Sequence, residues 1–116
     1  MAAMRKLNLK ITHGMNRTIT RAAAQRTLEL GRHVSRSDIV RWSISKRMKR
    51  PAVELCHERG RTPALTRHFM LSALVPVAHL RMLDHAAKVR EAGSGIVTTR
   101  SWVARRAIAV YLGLDE

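Results

Sequence analysis

The 116 residues hold 22 Lys plus Arg against 8 Asp plus Glu, a net charge of +14, which points to a polyanionic partner, nucleic acid first, and says nothing about fold. One cysteine, Cys56, excludes an internal disulfide, and no apolar run nears the roughly 18 residues that a membrane span needs. Aromatic residues make up only 3%, too few for the stacking platforms that hold single strands and RNA, which favours duplex DNA.

Met1 to Met4 reads as a short disordered lead, and no long apolar core follows its charges, so it does not resemble a secretory signal. In Arg5-Lys6-Leu7-Asn8-Leu9-Lys10-Ile11-Thr12 apolar and polar residues alternate with the period of a strand. Leu7, Leu9 and Ile11 fall on one edge and Lys6, Asn8 and Lys10 on the other. The plain reading is a half-buried strand with a solvated face; the sharper one is that lysine and asparagine donors meet base edges and phosphates. Thr12 to Asn16 has turn or cap character. A helix capped by Asn16 or Thr18 is expected through the alanines to Leu30, with Gly31 as its stop. Ser35 with Asp38 three residues later forms a capping-box pattern, opening a second helix that ends around Lys46 to Lys49, before Pro51.

Residues 49–68 read as a connector, with two helical turns from Pro51 and a break at Gly60-Arg61-Thr62-Pro63. Cys56-His57 lacks a second ligand pair, so an incidental or structural cysteine is expected. Met70 to Val75 is again strand-like. Leu80, Leu83 and Ala87 mark a helical stripe, Gly93-Ser94-Gly95 a turn, and Val97 onward a last helix ending near Leu112-Gly113. Arg36-Ser37-Asp38-Ile39-Val40-Arg41 superposes on Arg100-Ser101-Trp102-Val103-Ala104-Arg105, and Ile44 on Ile108, at one offset of 64 residues. The chain is a strand-helix-helix unit written twice.

Lys6-Leu7-Asn8-Leu9-Lys10 followed by Gly31-Arg32-His33-Val34-Ser35-Arg36-Ser37-Asp38-Ile39-Val40-Arg41 resembles a ribbon-helix-helix DNA-binding domain, the superfamily of the Arc and methionine repressors. Leu74 to Asp84 is similar to that family's strand-to-helix junction. The resemblance implies an α+β, mainly helical fold. Units at 5–48 and 69–113 would form one single-chain pseudo-dimeric domain over 1–116, with Lys6–Ile11 antiparallel to Met70–Val75; the rival arrangement is a true dimer in which each strand pairs with its own copy from another chain. Its helices would share a core containing Ile39, Ile44, Leu83, Val103 and Ile108. In that family the ribbon enters the major groove and the second helices hold phosphates. The implied base readers are Lys6, Asn8, Lys10 and Ser72. The implied phosphate contacts are Arg5, Ser35, Arg36, Ser37, Thr99, Arg100 and Ser101. The second unit departs from the first. Its outward strand residues are Met70, Ser72 and Leu74, and Trp102 stands where the first unit has Asp38, so the DNA site need not be a palindrome.

The expected function is sequence-selective binding of double-stranded DNA in a bacterial cytoplasm, on nucleoid or plasmid. The role would be that of a conjugation accessory factor helping a relaxase or other DNA-processing protein, or of a plasmid or operon repressor. Higher oligomers on DNA are a further arrangement. The alternatives are an antitoxin-type interaction module, for which the connector would have to serve as the toxin-binding segment, and a basic protein that binds nucleic acid by charge alone. There are no paired carboxylates, no nucleophile-base set and no phosphate loop, and the six histidines form no ligand cluster. Neither catalysis, a metal, a cofactor nor a membrane is expected.

Overall fold

The computed structural model describes residues 3–57 and 68–114. Among these, a strand β1 (Met4–Thr12) leads into helices α1 (His13–Leu30) and α2 (Arg36–Met48). A short 3-10 helix (Ala52–His57) follows, then strand β2 (His68–Pro76) and helices α3 (Val77–Ser94) and α4 (Arg100–Tyr111). The fold is α+β and mainly helical, with one two-stranded antiparallel sheet. The strand and both α-helix starts of the first half recur 64 residues later, from Met4 and His68 to Arg36 and Arg100. The connector's expected two helical turns are the 3-10 helix. The break at Gly60 to Pro63 and the Cys56 side chain lie outside the described residues.

Strand pairing follows from the alternation. Lys6 faces Leu74, Asn8 faces Ser72 and Lys10 faces Met70 across the ladder. Leu7, Leu9 and Ile11 on β1, with Leu71, Ala73 and Val75 on β2, all turn inward and are buried. A slip of one strand by one residue would turn its three buried residues outward, so burial of this face specifies the register. The pair Asn8 and Ser72 is itself 64 residues apart, which puts it at the centre of the repeat.

The helices cover the inner face of this sheet. Ile39, Ile44, Leu83, Val103 and Ile108 are fully buried in one cluster with Leu9 and Val75, and α2 packs on α4 through it. Each large aliphatic side chain taken from water contributes about 1.5–3 kcal/mol. Neither half owns this core, because the strand face of one unit is covered by helices of both. No helix among the described residues is long and apolar enough to cross a membrane.

The start of α1 differs from expectation. Thr12, extended at φ −72° and ψ 157°, caps the helix, its hydroxyl accepting from the Met15 N–H at 3.0 Å. Asn16 and Thr18 lie inside the helix instead, and Thr18 Oγ1 donates back to the Gly14 carbonyl at 3.0 Å. The strand therefore runs straight into the helix, because one hydroxyl at the junction satisfies a first-turn donor without a loop. At the matching junction Pro76 offers no side-chain cap, and the Ala3 carbonyl accepts from the Val77 N–H at 3.0 Å. Gly93 is likewise helical rather than part of a turn. The stop is Gly95, left-handed at φ 73°, as Gly31 is at φ 66° after α1, the conformation that glycine adopts without strain.

Candidate nucleic-acid interface

Because the apolar edge of each strand is buried, the opposite edge faces out. Lys6, Asn8, Lys10, Met70, Ser72 and Leu74 are all exposed, and they form three cross-strand pairs. At the centre the Ser72 hydroxyl donates to Asn8 Oδ1 at 2.6 Å. This bond orients the amide and occupies one lone pair of its oxygen, leaving Nδ2 as a donor. Lys6 and Lys10 stand four residues apart on one strand, a span of about 13 Å, close to the roughly 12 Å width of a B-DNA major groove. Each lysine faces an apolar partner, Leu74 or Met70. The outer face is thus a polar centre flanked by two pairs of one cation and one apolar side chain.

The second-helix starts are built differently in the two halves. At α2 the capping box is complete: the Asp38 N–H donates to Ser35 Oγ at 3.1 Å, and the Ser35 N–H donates to Asp38 Oδ2 at 2.8 Å. That backbone bond, before all else, holds the Asp38 carboxyl below its ordinary range, with the Ser35 hydroxyl and Arg41 assisting against partial burial. Arg41 pairs with Asp38 and also donates through Nη1 to the Leu74 carbonyl at 2.8 Å. The cap of α2 is therefore tied to the backbone of β2. At α4 Thr99 Oγ1 accepts from the Trp102 N–H at 3.2 Å, with no reciprocal acid. Trp102 lies instead beneath the Arg90 guanidinium, 4.0 Å from ring centre to Cζ.

The two arginines expected on phosphates both have internal partners. Arg36 donates to Asn16 Oδ1 at 2.9 Å and lies over the Phe69 ring at the start of β2. Arg100 makes a two-pronged pair with Asp84, Nε to Oδ1 at 2.8 Å and Nη2 to Oδ2 at 2.6 Å. The pair holds the Asp84 carboxyl below, and the Arg100 guanidinium above, their usual ranges. Both arginines remain at the surface, Arg100 with its side chain 40% exposed, so they can turn to another anion only by trading these partners. Ser35, Ser37 and Ser101 are partly exposed, and Thr99 and Arg5 are exposed. The fold groups Lys6, Asn8, Lys10 and Ser72 on one face, with Arg5 on the same ribbon. Ser35 to Ser37 and Thr99 to Ser101 sit at the starts of α2 and α4. Sequence reasoning missed Arg41, whose only trace was its i+3 spacing from Asp38.

Among the described residues no group of three His, Cys, Asp or Glu side chains is placed to hold a metal ion. His79 is half-buried against Ser45, with Nε2 3.3 Å from the hydroxyl, and burial followed by the Arg41 charge lowers its pKa. Comparison of the chain with family models, with curated proteins and with solved structures returned no match.

Proposed function

We propose that the chain is a sequence-selective double-stranded DNA-binding protein of the ribbon-helix-helix type, with its two units forming a pseudo-dimer within one molecule. The observation that carries this reading is the outer face of the ribbon. Lys6, Asn8 and Lys10 project from β1 beside Ser72, with the bonded Asn8–Ser72 pair at the centre of the repeat. Inserted in the major groove, the lysines donate to guanine O6 and N7, and Asn8, oriented by Ser72, donates to a purine or thymine acceptor. Met70 and Leu74 supply apolar surface for thymine methyl groups. Ser35 to Ser37 and Thr99 to Ser101, with Arg5, flank the ribbon as phosphate anchors, and the charge of +14 supplies long-range attraction. The protein acts as a conjugation accessory factor beside a relaxase or other DNA-processing protein, or as a repressor, without catalysis of its own.

Methylation interference tests the groove assignment. Methyl groups placed on guanine N7 of a bound fragment project into the major groove and should block binding at two or more clustered guanines. Interference confined to adenine N3, in the minor groove, would remove the ribbon from the role given to it here.

A further inference from the structure

The C-terminal turn of α2, the start of the connector and the middle of α3 line a half-open cavity of about 210 Å3 that shares no residue with the ribbon or with the starts of α2 and α4. Met48, Ala52, Met82 and Ala86 supply its apolar walls. Arg47, Arg50, Arg81 and His85 complete the lining, the long arginine stems adding apolar surface below their charged heads. Among the described residues no acidic side chain lines the cavity. Glu54 engages Arg50, Nη2 to Oε2 at 2.7 Å. Arg81 and His85 are exposed and make no ion pair among the described residues.

An apolar slot to whose lining three arginines and a histidine also contribute selects a particular ligand class. A purely polar anion would leave the walls unfilled, and a cationic amphiphile would meet like charge at the rim. The size is informative too. A dry apolar cavity of about 150 Å3 takes a benzene ring, whereas drug-sized pockets run from about 300 Å3 upward. The space fits an apolar body slightly larger than one ring. We propose that this cavity is a binding site for small amphipathic carboxylic acids, medium-chain alkyl or bicyclic aryl. The apolar body lies against Met48, Met82 and Ala86, and the carboxylate sits at the mouth beside Arg81 and His85. The site stands on the cavity alone and is independent of the DNA-binding reading.

Calorimetric titration of the full chain with sodium decanoate, sodium acetate and decyltrimethylammonium bromide, followed by amide NMR shifts, tests the site. Decanoate should bind saturably to one site and shift amides within 47–52 and 81–86. The other two probes should bind at least about tenfold more weakly, a gap of roughly 1.4 kcal/mol. Arg81→Glu and Met82→Asp alter surface positions, Met82 being 41% exposed. Either folded variant should raise the decanoate Kd about tenfold or more, and far-ultraviolet circular dichroism of each identifies which have folded. Any of four results overturns the proposal: no saturation by decanoate, equal binding of acetate, equal binding of the cationic amphiphile, or shifts centred elsewhere. All four use the unaltered chain, so they decide the matter even where a variant does not fold.

Discussion

Replacing Asp38 by alanine removes three contacts at once. The Ser35 N–H loses its acceptor at 2.8 Å, the Ser35 hydroxyl loses one at 3.1 Å, and Arg41 loses its carboxylate partner. Loss of the reciprocal half of a capping box costs about 1 kcal/mol. The ion pair, with side chains 26% and 21% exposed, adds roughly 0.2–1 kcal/mol after solvent screening. Asp38→Ala should therefore destabilise the fold by about 1–2 kcal/mol, lowering Tm by roughly 3–8 °C for a chain of this length. The pH dependence sharpens the test. The folded-state carboxyl lies below its ordinary value of 3.8, chiefly through the Ser35 backbone bond. Its stabilisation is thus present above that ordinary value and is lost as pH falls through the folded value. Thermal melts followed by circular dichroism should show the gap between parent and variant at neutral pH and its closure in acid. A Tm change under about 1 °C at neutral pH, or a gap that widens in acid, would refute the assignment of the cap as a stabilising element.

The remaining predictions concern the shared core and the ribbon. Ile44→Ala, at a fully buried position between the two halves, should cost about 2–5 kcal/mol in urea denaturation, as one cooperative transition; two separate transitions would mean that the halves fold independently. Asn8→Ala should weaken specific DNA binding by about 1–3 kcal/mol and relax discrimination at one or two base pairs, while equal losses on specific and random duplexes would show that Asn8 is not a reader. Arg100→Ala should lower the slope of log affinity against log salt by about one; an unchanged slope would leave Arg100 as a strut on Asp84 alone.

What was legible in the residues was whatever depends on local chemistry and period. Leu7, Leu9 and Ile11 announce a strand with one buried face, Gly31 a helix stop, and Ser35 with Asp38 a capping box, because each of these is decided within a few residues. The repeat at 64 residues was legible too, and it carried the pairing of β1 with β2, since a lone unit cannot cover its own strand face. The start of α1 was misjudged because Gly14 and Asn16 carry turn propensity. The Thr12 hydroxyl, already at the strand end, overrides it by capping the helix at the junction. The partners of the surface arginines were not legible. Arg41 reaches the Leu74 carbonyl 33 positions away and Arg100 reaches Asp84 across 16, contacts that exist only once the helices have packed. Trp102 did mark the absence of a capping box at α4, but that its ring is the surface on which Arg90 stacks was not legible.

On the reading proposed above, the exposed ribbon face reads sequence in duplex DNA. Its most direct measurement is selection of bound fragments from a genomic library at moderate salt, followed by the affinity of the recovered site relative to a random duplex of equal length. The account predicts one enriched sequence and an affinity ratio of roughly a thousandfold or more, which falls on Asn8→Ala. A ratio near one, with affinity governed by salt alone, would contradict it and leave the charge of +14 as the whole basis of nucleic-acid binding.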